Sequence, residues 1–403
     1  MTKLFWVDNH QEKTYSNLYA DLKKIKNINN NIWEKDTYQV FLRIIHSMIM
    51  DYPIILFDGD FSAKELFSQG YRHMEKQVDQ VELNQKLTSC SKISDCIKYV
   101  NNWSITLLTS GTTGIPKKVT HYIESITKAC KVDPKHRDDI WGFAYNPTHM
   151  AGIQVFFQVL FNENTMINLF RESIDSIQDN INKYQVSHIS ATPTFYRLMI
   201  KDGDVFPEVV QISSGGEKLT DKLLTKISKI FPHARIKNIY ASTEAGSIFA
   251  SEGENFRIPE RFKTKIKIEN NELVFHKNIL GESDSLKLKG DWYYSGDMIE
   301  FVNDEETIFK IIARKNEMIN VGGYKVNPQE VEEALLNNHL IYQARVYGKS
   351  NPVLGNILCA DIVSEELSEK EIRKNLKLQN FKIPRIINFK NNIDMTRTGK
   401  VKR

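Results

Sequence analysis

Cysteine is scarce in this chain: only Cys90, Cys96, Cys130 and Cys359 occur in 403 residues. None forms a C-x-x-C pair or a zinc-type spacing, which argues against a disulfide scaffold and leaves reduced thiols as the expectation. Long hydrophobic runs are also missing. The most apolar early stretch, Ile44–Phe57, is broken by His46 and Asp51 and falls short of the roughly 20 residues that span a bilayer. The opening MTKLFWVDNHQEK has no uninterrupted apolar core of the secretory kind. Charge of one sign is lacking too, since 54 Lys and Arg against 50 Asp and Glu leave a net +4. That balance helps attract an anionic ligand but does not indicate a nucleic-acid partner. Neither the Walker spacing GxxxxGK[ST] nor a GxGxxG fingerprint is present. No internal repeat and no long Pro/Gly/Ser linker interrupts the chain. With 41% hydrophobic and 26% charged residues, the expectation is a cytoplasmic globular protein of about two to three domains with no membrane span.

What is present is an alternation. YPIILFD (52–58) and WSITLLT (103–109) read as buried strands, with a helix around Ala63–Gln69 between them. DIWGFAY, TMINLF, VSHISA, VVQISS and ARIKNIY follow as strands, separated by helical patterns such as AGIQVFFQVLF, Ile174–Tyr184 and PTFYRLMI. Strands alternating with helices predict an α/β class with a largely parallel sheet covered by helices on both faces. After about Ala250 the strands TKIKIE, ELVFH, SLKLK, WYYSGDMIEFV and TIFKIIA follow one another without helices. They predict an antiparallel subdomain. From about Lys315 a Gly-Gly turn, a helix over Pro328–Leu336, two strands, a helix over Ser368–Leu376 and a last strand suggest a small α+β domain. The expected division is 1–313 and 314–403, with any motion pivoting on Arg314–Asn316.

The segment Thr109–Lys117, TSGTTGIPK, leaves a predicted strand and precedes a helical pattern over His121–Cys130. Gly111 and Gly114 permit positive-φ geometry that turns amide N–H groups towards an anion. Thr109, Ser110, Thr112 and Thr113 add hydroxyl donors, and Lys117 adds a positive charge. This is suitable chemistry for the β- and γ-phosphates of ATP, although Ser, Thr and Gly are also the commonest residues of plain surface loops.

The string resembles the TSGTTGxPKG loop of the acyl-adenylate-forming superfamily, to which acyl- and aryl-CoA ligases belong; Lys118 stands where that family usually has Gly. Further segments resemble the same family in the same order. PTHMAG places His149 at the family's acyl-site histidine, although a lone histidine is more commonly packed or surface-held. ATPTFYRLM is similar to the family's helix entry. SSGGEKL, with Gly215, Gly216 and Glu217, looks like the turn lining the adenine and acyl pockets. In YASTEAG the resemblance gives Tyr240 a stacking role on adenine, Thr243 a bond to the α-phosphate or carboxylate, and Glu244 the Mg²⁺. Ala241 replaces the usual Gly there. YYSGD gives Asp297 the ribose hydroxyls, and Arg314 matches the family arginine that also contacts ribose.

Two departures follow: Ala313 stands for Gly, and Asn316 for the usual Asp or Lys at the hinge. VGGYKVNPQEVE sets Gly322 and Gly323 where a pantetheine arm approaches, and TRTGKVKR makes Lys400 the catalytic lysine. These matches cover about three quarters of the chain. Only 108 residues precede Thr109, fewer than in many family members, so the resemblance implies a shortened N-terminal region.

The resemblance implies an enzyme that uses ATP and Mg²⁺ to convert a carboxylic acid into an acyl-adenylate. The acyl group then passes to the thiol of coenzyme A or to the phosphopantetheine of an acyl carrier protein. The C-terminal domain is expected to be mobile between these steps. No Asp lies in Asn146–Gly152 to pair with a substrate ammonium, which favours an aryl or short to medium acyl acid over an amino acid. A homodimer is compatible with this reading. The four departures, Lys118, Ala241, Ala313 and Asn316, keep open a non-catalytic nucleotide-binding homologue.

Overall fold

The computed structural model describes residues 3–72, 76–97, 100–109, 117–199, 204–351 and 355–393. Contacts divide the chain into two compact units, Met1–Lys265 with Phe275–Tyr293, and Ile266–Val274 with Tyr294–Arg403. The residues 314–316 therefore fall within the second unit.

The first unit holds two sheets that share a parallel character, where the alternating pattern suggested one. The larger runs in the order Gly246–Ser251, Arg235–Ser242, Gln211–Gly215, His188–Ala191, Ile140–Phe143, Thr165–Asn168, Leu4–Val7, Glu12–Thr14. Its six inner strands pair in parallel and both marginal strands pair antiparallel. The smaller sheet orders Asn31–Trp33, Ile54–Phe57, Ser104–Thr109 and Lys117–Tyr122, the last pair antiparallel. The strands and helices expected from sequence do not include the early elements Leu4–Val7 and the helix Thr37–Ile49.

That helix explains why two sheets form. Asp36 caps it by accepting from the Gln39 amide, and nearly every side chain from Tyr38 to Ile49 is buried. A helix apolar all round has to be enclosed. Phe41 stacks on Phe156 with centroids 4.5 Å apart and meets Trp6 and Phe143 of the larger sheet edge-on. The same core cluster takes in Ile32, Leu56, Ile105 and Leu107 of the smaller sheet. Each such large apolar side chain contributes about 1.5–3 kcal/mol on burial.

One local expectation is corrected. The helical pattern over 121–130 is a strand to Tyr122, followed by only a short helix, Ile123–Thr127. Val119 and His121 are buried while Lys118 and Tyr122 are exposed, a period of two that suits a strand and not a helix. The antiparallel partner Ser104–Thr109 decides the outcome, with Thr106 Oγ1 and Thr120 Oγ1 2.8 Å apart across the pair.

In the second unit, Ile266–Glu269, Glu272–His276, Trp292–Phe301 and Phe309–Arg314 form consecutive neighbours, as the helix-free pattern predicts. The chain crosses the division within the strands Glu272–His276 and Trp292–Phe301. Asn270 and Asn271 join the first two at φ 52° and 59°, the geometry of a tight hairpin turn that Asn tolerates. A further sheet combines Tyr324–Val326, Ile319–Val321, Gly355–Ser364 and Ile341–Asn351, with Ile386–Phe389 added in parallel. The helix Pro328–Leu336 starts on an Asn327 cap with Pro at its first turn. It buries Val331 and Leu335 in the core cluster that includes Ile341 and Val346. Among the described residues, no helix is long and apolar enough to cross a membrane.

Candidate active site

Strand ends position the site. The strands Leu4–Val7, Ile54–Phe57, Ile140–Phe143 and Thr165–Asn168 all deliver their carboxyl ends to a cavity of about 200 Å³, lined in part by Asp8, Asp58, Asp60, Asn146, Thr148 and Arg171. Carboxyl ends of parallel strands are where α/β sheets bind ligands. Beside it lies His149, the cap residue of the helix Met150–Asn162, its Nε2 3.1 Å from Asp58 Oδ2. Asn146 Nδ2 donates to the same oxygen at 3.0 Å, and the Asp60 amide donates to Oδ1 at 2.9 Å. Asn146 is itself oriented by the Thr148 amide and hydroxyl, which donate to its Oδ1 at 2.9 and 2.8 Å. Asp58 is 5% exposed, so its carboxylate relies on these donors in place of water. Outside this cluster, Asp60 is held by a two-point pair with Arg171.

Of the phosphate loop, Ser110, Gly111, Thr112 and Thr113 lie outside the described residues, as does Lys400. The backbone of Thr109 pairs with that of Lys117, so the described ends of the loop belong to two neighbouring strands. The returning strand carries His121, and its Nε2 lies 2.7 Å from the Thr243 carbonyl oxygen. It thereby ties the phosphate-loop strand to the turn that bears Thr243 and Glu244. The Gly281 amide donates to Glu244 O at 2.7 Å. A Cβ at Gly281 would sit 2.6 Å from His121 Cε1, so this approach requires glycine. Lys128 completes the clamp, donating to Ala245 O at 2.6 Å. Burial, helped by the charges of Arg261 and Lys265, lowers its pKa to about 8. Burial likewise lowers that of His121, against the bond to Thr243 O.

These bonds engage backbone atoms of the turn. The side chains of Thr243 and Glu244 make no hydrogen bond or ion pair with a described residue, and the hard carboxylate oxygens of Glu244 fit Mg²⁺. Tyr240, on the strand leading to the turn, stacks at 5.3 Å and 28° on Phe249, which fixes its ring plane. Gly215 ends its strand and Gly216 follows at φ 86°. Glu217 turns back to cap the helix Pro193–Met199, accepting from Thr194 N at 3.0 Å and Thr194 Oγ1 at 2.6 Å.

The second unit brings Asp297 and Arg314 together on paired strands. Arg314 Nε donates to Asp297 Oδ1 at 3.0 Å; Asp297 is 6% exposed. Gly322 and Gly323 form the tip between Ile319–Val321 and Tyr324–Val326 at φ 57° and 87°. A Cβ at Gly323 would meet nothing within 4 Å, so within this unit the backbone angle, and not space, demands glycine there.

Sequence reading missed Asp58, His121, Lys128 and Gly281. The position of Asp58 just after a buried strand is a usable signal under the carboxyl-end rule. The other three act through backbone bonds between distant segments and leave no local mark.

Fold and site together define a two-unit α/β protein with a clamped turn bearing Thr243 and Glu244 and a strand-end cavity lined in part by Asp58. Comparison with known proteins agrees. The model of the AMP-binding enzyme matches residues 72–270, and that of the AMP-binding enzyme C-terminal domain matches 330–400. The chain belongs to this adenylate-forming superfamily. It is 28% identical over 349 residues to 4-hydroxybutyrate–CoA ligase 1 of Metallosphaera sedula, covering 74% of this chain and 61% of that protein. It is 25% identical over 364 residues to 2-succinylbenzoate–CoA ligase of Bacillus subtilis, covering 82% and 72%. The match to acetyl-coenzyme A synthetase of Bacillus subtilis spans 59% of that protein. The chain thus spans about three fifths of the length of several curated relatives it matches. Among solved structures, o-succinylbenzoate CoA synthetase from Bacillus subtilis with its acyl-adenylate intermediate superposes at TM-score 0.72 and 18% identity, covering 99% of this chain and 94% of that one. MatB from Rhodopseudomonas palustris, bound to ATP, superposes at TM-score 0.72 and 16% identity, covering 99% and 94%.

Proposed function

We propose that this chain is an AMP-forming acid–thiol ligase that activates a small carboxylic acid with ATP and transfers the acyl group to coenzyme A. The observation that carries the reading is the turn Thr243–Ala245. Bonds from His121, Lys128 and the Gly281 amide hold its backbone, while the side chains of Thr243 and Glu244 stay uncommitted to described residues. Such a pre-organised pair of oxygen groups suits a reaction in which positioning and charge neutralisation provide most of the catalysis.

In the first half-reaction a carboxylate oxygen of the acid bonds to the α-phosphorus of ATP, and the bond to pyrophosphate breaks. Thr243 donates to the α-phosphate or carboxylate, Lys117 and the loop 109–113 hold the departing phosphates, and Lys400 neutralises the developing charge. Mg²⁺ bound through Glu244 supplies further neutralisation of phosphate charge. Tyr240 takes the adenine, with Gly215, Gly216 and Glu217 beside it, and Asp297 and Arg314 take the ribose. In the second half-reaction the thiol sulfur bonds to the acyl carbon and AMP leaves, with Gly322 and Gly323 on the pantetheine arm. A division into functional domains at 313/314, with a pivot at Asn316, is part of this proposal.

His149 and the Asp58 cavity take the acid. The cavity's modest size supports a short acid over a long acyl chain. The relatives' names, ligases of hydroxybutyrate, succinylbenzoate and acetate, agree with that range.

ATP–pyrophosphate exchange against a panel of short, hydroxylated and aryl acids tests the reading, with Lys400→Ala in parallel. Acid-dependent exchange that this substitution abolishes supports adenylation. Absence of exchange with every acid, while ATP still binds, assigns the chain to the non-catalytic alternative. Thioester formed with free coenzyme A but not with a holo carrier protein supports the acceptor proposed here.

A further inference from the structure

Three metal-ligating side chains converge at the opposite end of the larger sheet. His136 closes the turn Pro134–His136, Asp139 directly precedes the strand Ile140–Phe143, and His188 opens the neighbouring strand His188–Ala191. His188 pairs with Trp141 in parallel register, so all three residues sit at amino ends of adjacent strands. His149 and Asp58 follow carboxyl ends. The cluster is therefore separate from the proposed reaction site.

Asp139 Oδ2 lies 3.0 Å from His136 Nδ1 and 3.4 Å from His188 Nε2. One donor atom from each residue falls within 4.8 Å of the other two. Ligands at about 2.0–2.2 Å around a tetrahedral ion stand about 3.4 Å apart, close to both separations from the carboxylate.

Ser187 Oγ accepts from the Ile140 amide at 2.9 Å and donates to Ile140 O at 3.2 Å. His188 Nδ1 lies 2.9 Å from the same hydroxyl, an oxygen partner that orients the ring. The ring so held directs its Nε2 at the Asp139 carboxylate. His136 Nδ1 converges on the same oxygen, so two imidazole nitrogens meet one carboxylate. A ring N–H fixed by a neighbouring oxygen is also the usual way that a metal-binding imidazole is oriented. The Asn164 amide group donates to the His136 and Arg137 carbonyls, so the turn is held by bonds independent of the cluster.

We infer that His136, Asp139 and His188 form a binding site for a divalent transition ion of the zinc class, with a fourth position open to water. Two imidazole nitrogens and one carboxylate oxygen favour zinc or cobalt over magnesium. Bound there, the ion clamps the 133–139 turn to the His188 strand and stabilises the sheet's amino edge.

The test uses the full chain stripped of metal with a chelator and titrated with Co²⁺ and Zn²⁺ in the absence of nucleotide. The expected result is one Co²⁺ per chain, with the visible absorption of a tetrahedral or five-coordinate site. Zn²⁺ should displace it, and the thermal midpoint should rise on loading. His136→Gln and Asp139→Asn should leave the metal-free midpoint near that of wild type and abolish the bands. Ser187→Ala should weaken binding by about 10–100-fold. Saturable binding that survives unchanged in both ligand variants, or no saturable Co²⁺ or Zn²⁺ binding by the wild type, overturns the assignment.

Discussion

Replacing Asp58 by Asn keeps the shape of the side chain and removes its charge, which isolates what the carboxylate does for His149. Oδ2 accepts from both Asn146 Nδ2 and His149 Nε2, while Oδ1 accepts from the Asp60 amide. An amide has one acceptor oxygen. If that oxygen takes the Oδ2 place, the NH₂ group confronts the Asp60 amide; if it takes Oδ1, the NH₂ confronts two donors. At least one hydrogen bond to a charged acceptor is lost either way, at a cost of about 1.5–3 kcal/mol. At about 2 °C per kcal/mol for a large domain, the thermal midpoint should fall by about 3–6 °C. In the proposed enzyme the same change frees the His149 ring, so the KM for the acid should rise more than the KM for ATP. A double-mutant cycle with His149→Gln separates positioning from general damage. Coupling of about 0.5–3 kcal/mol between the two sites is expected for residues in direct contact. Additive effects on both the midpoint and the acid KM would refute the claim that Asp58 acts through His149.

Two further outcomes are expected. Burial of His46, reinforced by the charge of Arg43, lowers its pKa from 6.5 to about 4. The unfolded chain therefore binds this proton first, and the associated stability, complete above about pH 6.5, is lost as the pH falls towards 4. The full shift corresponds to about 3 kcal/mol. His46→Gln should flatten the pH dependence of urea-unfolding stability between pH 4 and 6.5, and an unchanged slope there would contradict the assignment. Asn316→Pro fixes φ at the proposed pivot. ATP–pyrophosphate exchange should persist while thioester formation slows, and if neither half-reaction changes, the pivot lies elsewhere.

Much of the second half of the chain could be read without coordinates. The helix Pro328–Leu336 announces itself by an Asn cap, a Pro in the first turn and apolar residues at helical spacing, all local signals. In the first half, the helix Ile174–Tyr184 does the same through its Ser173 cap and the buried Ile177 and Ile181. The loop 109–117 and the turn 240–246 were legible as chemistry, because glycine, hydroxyl and carboxylate residues cluster there within a few positions. The pattern over 121–130 misled, since a short apolar segment fits either period and only pairing with Ser104–Thr109 made it a strand.

What the sequence determined by itself is the succession of elements, the order of the motif segments and the residues proposed to meet phosphate, ribose and thiol. Those properties reside in neighbouring residues, whose propensities and spacing act over one or two turns of chain. Tertiary structure decided which distant groups meet. It placed Asp58 on His149, the His121 ring under the Thr243 carbonyl, Lys128 on Ala245, and His188 beside His136 and Asp139. The last joins neighbouring strands of one sheet, and the first two join segments of two different sheets. Strand order is selected by how the whole core closes around the buried Thr37–Ile49 helix, and not by any local run of residues.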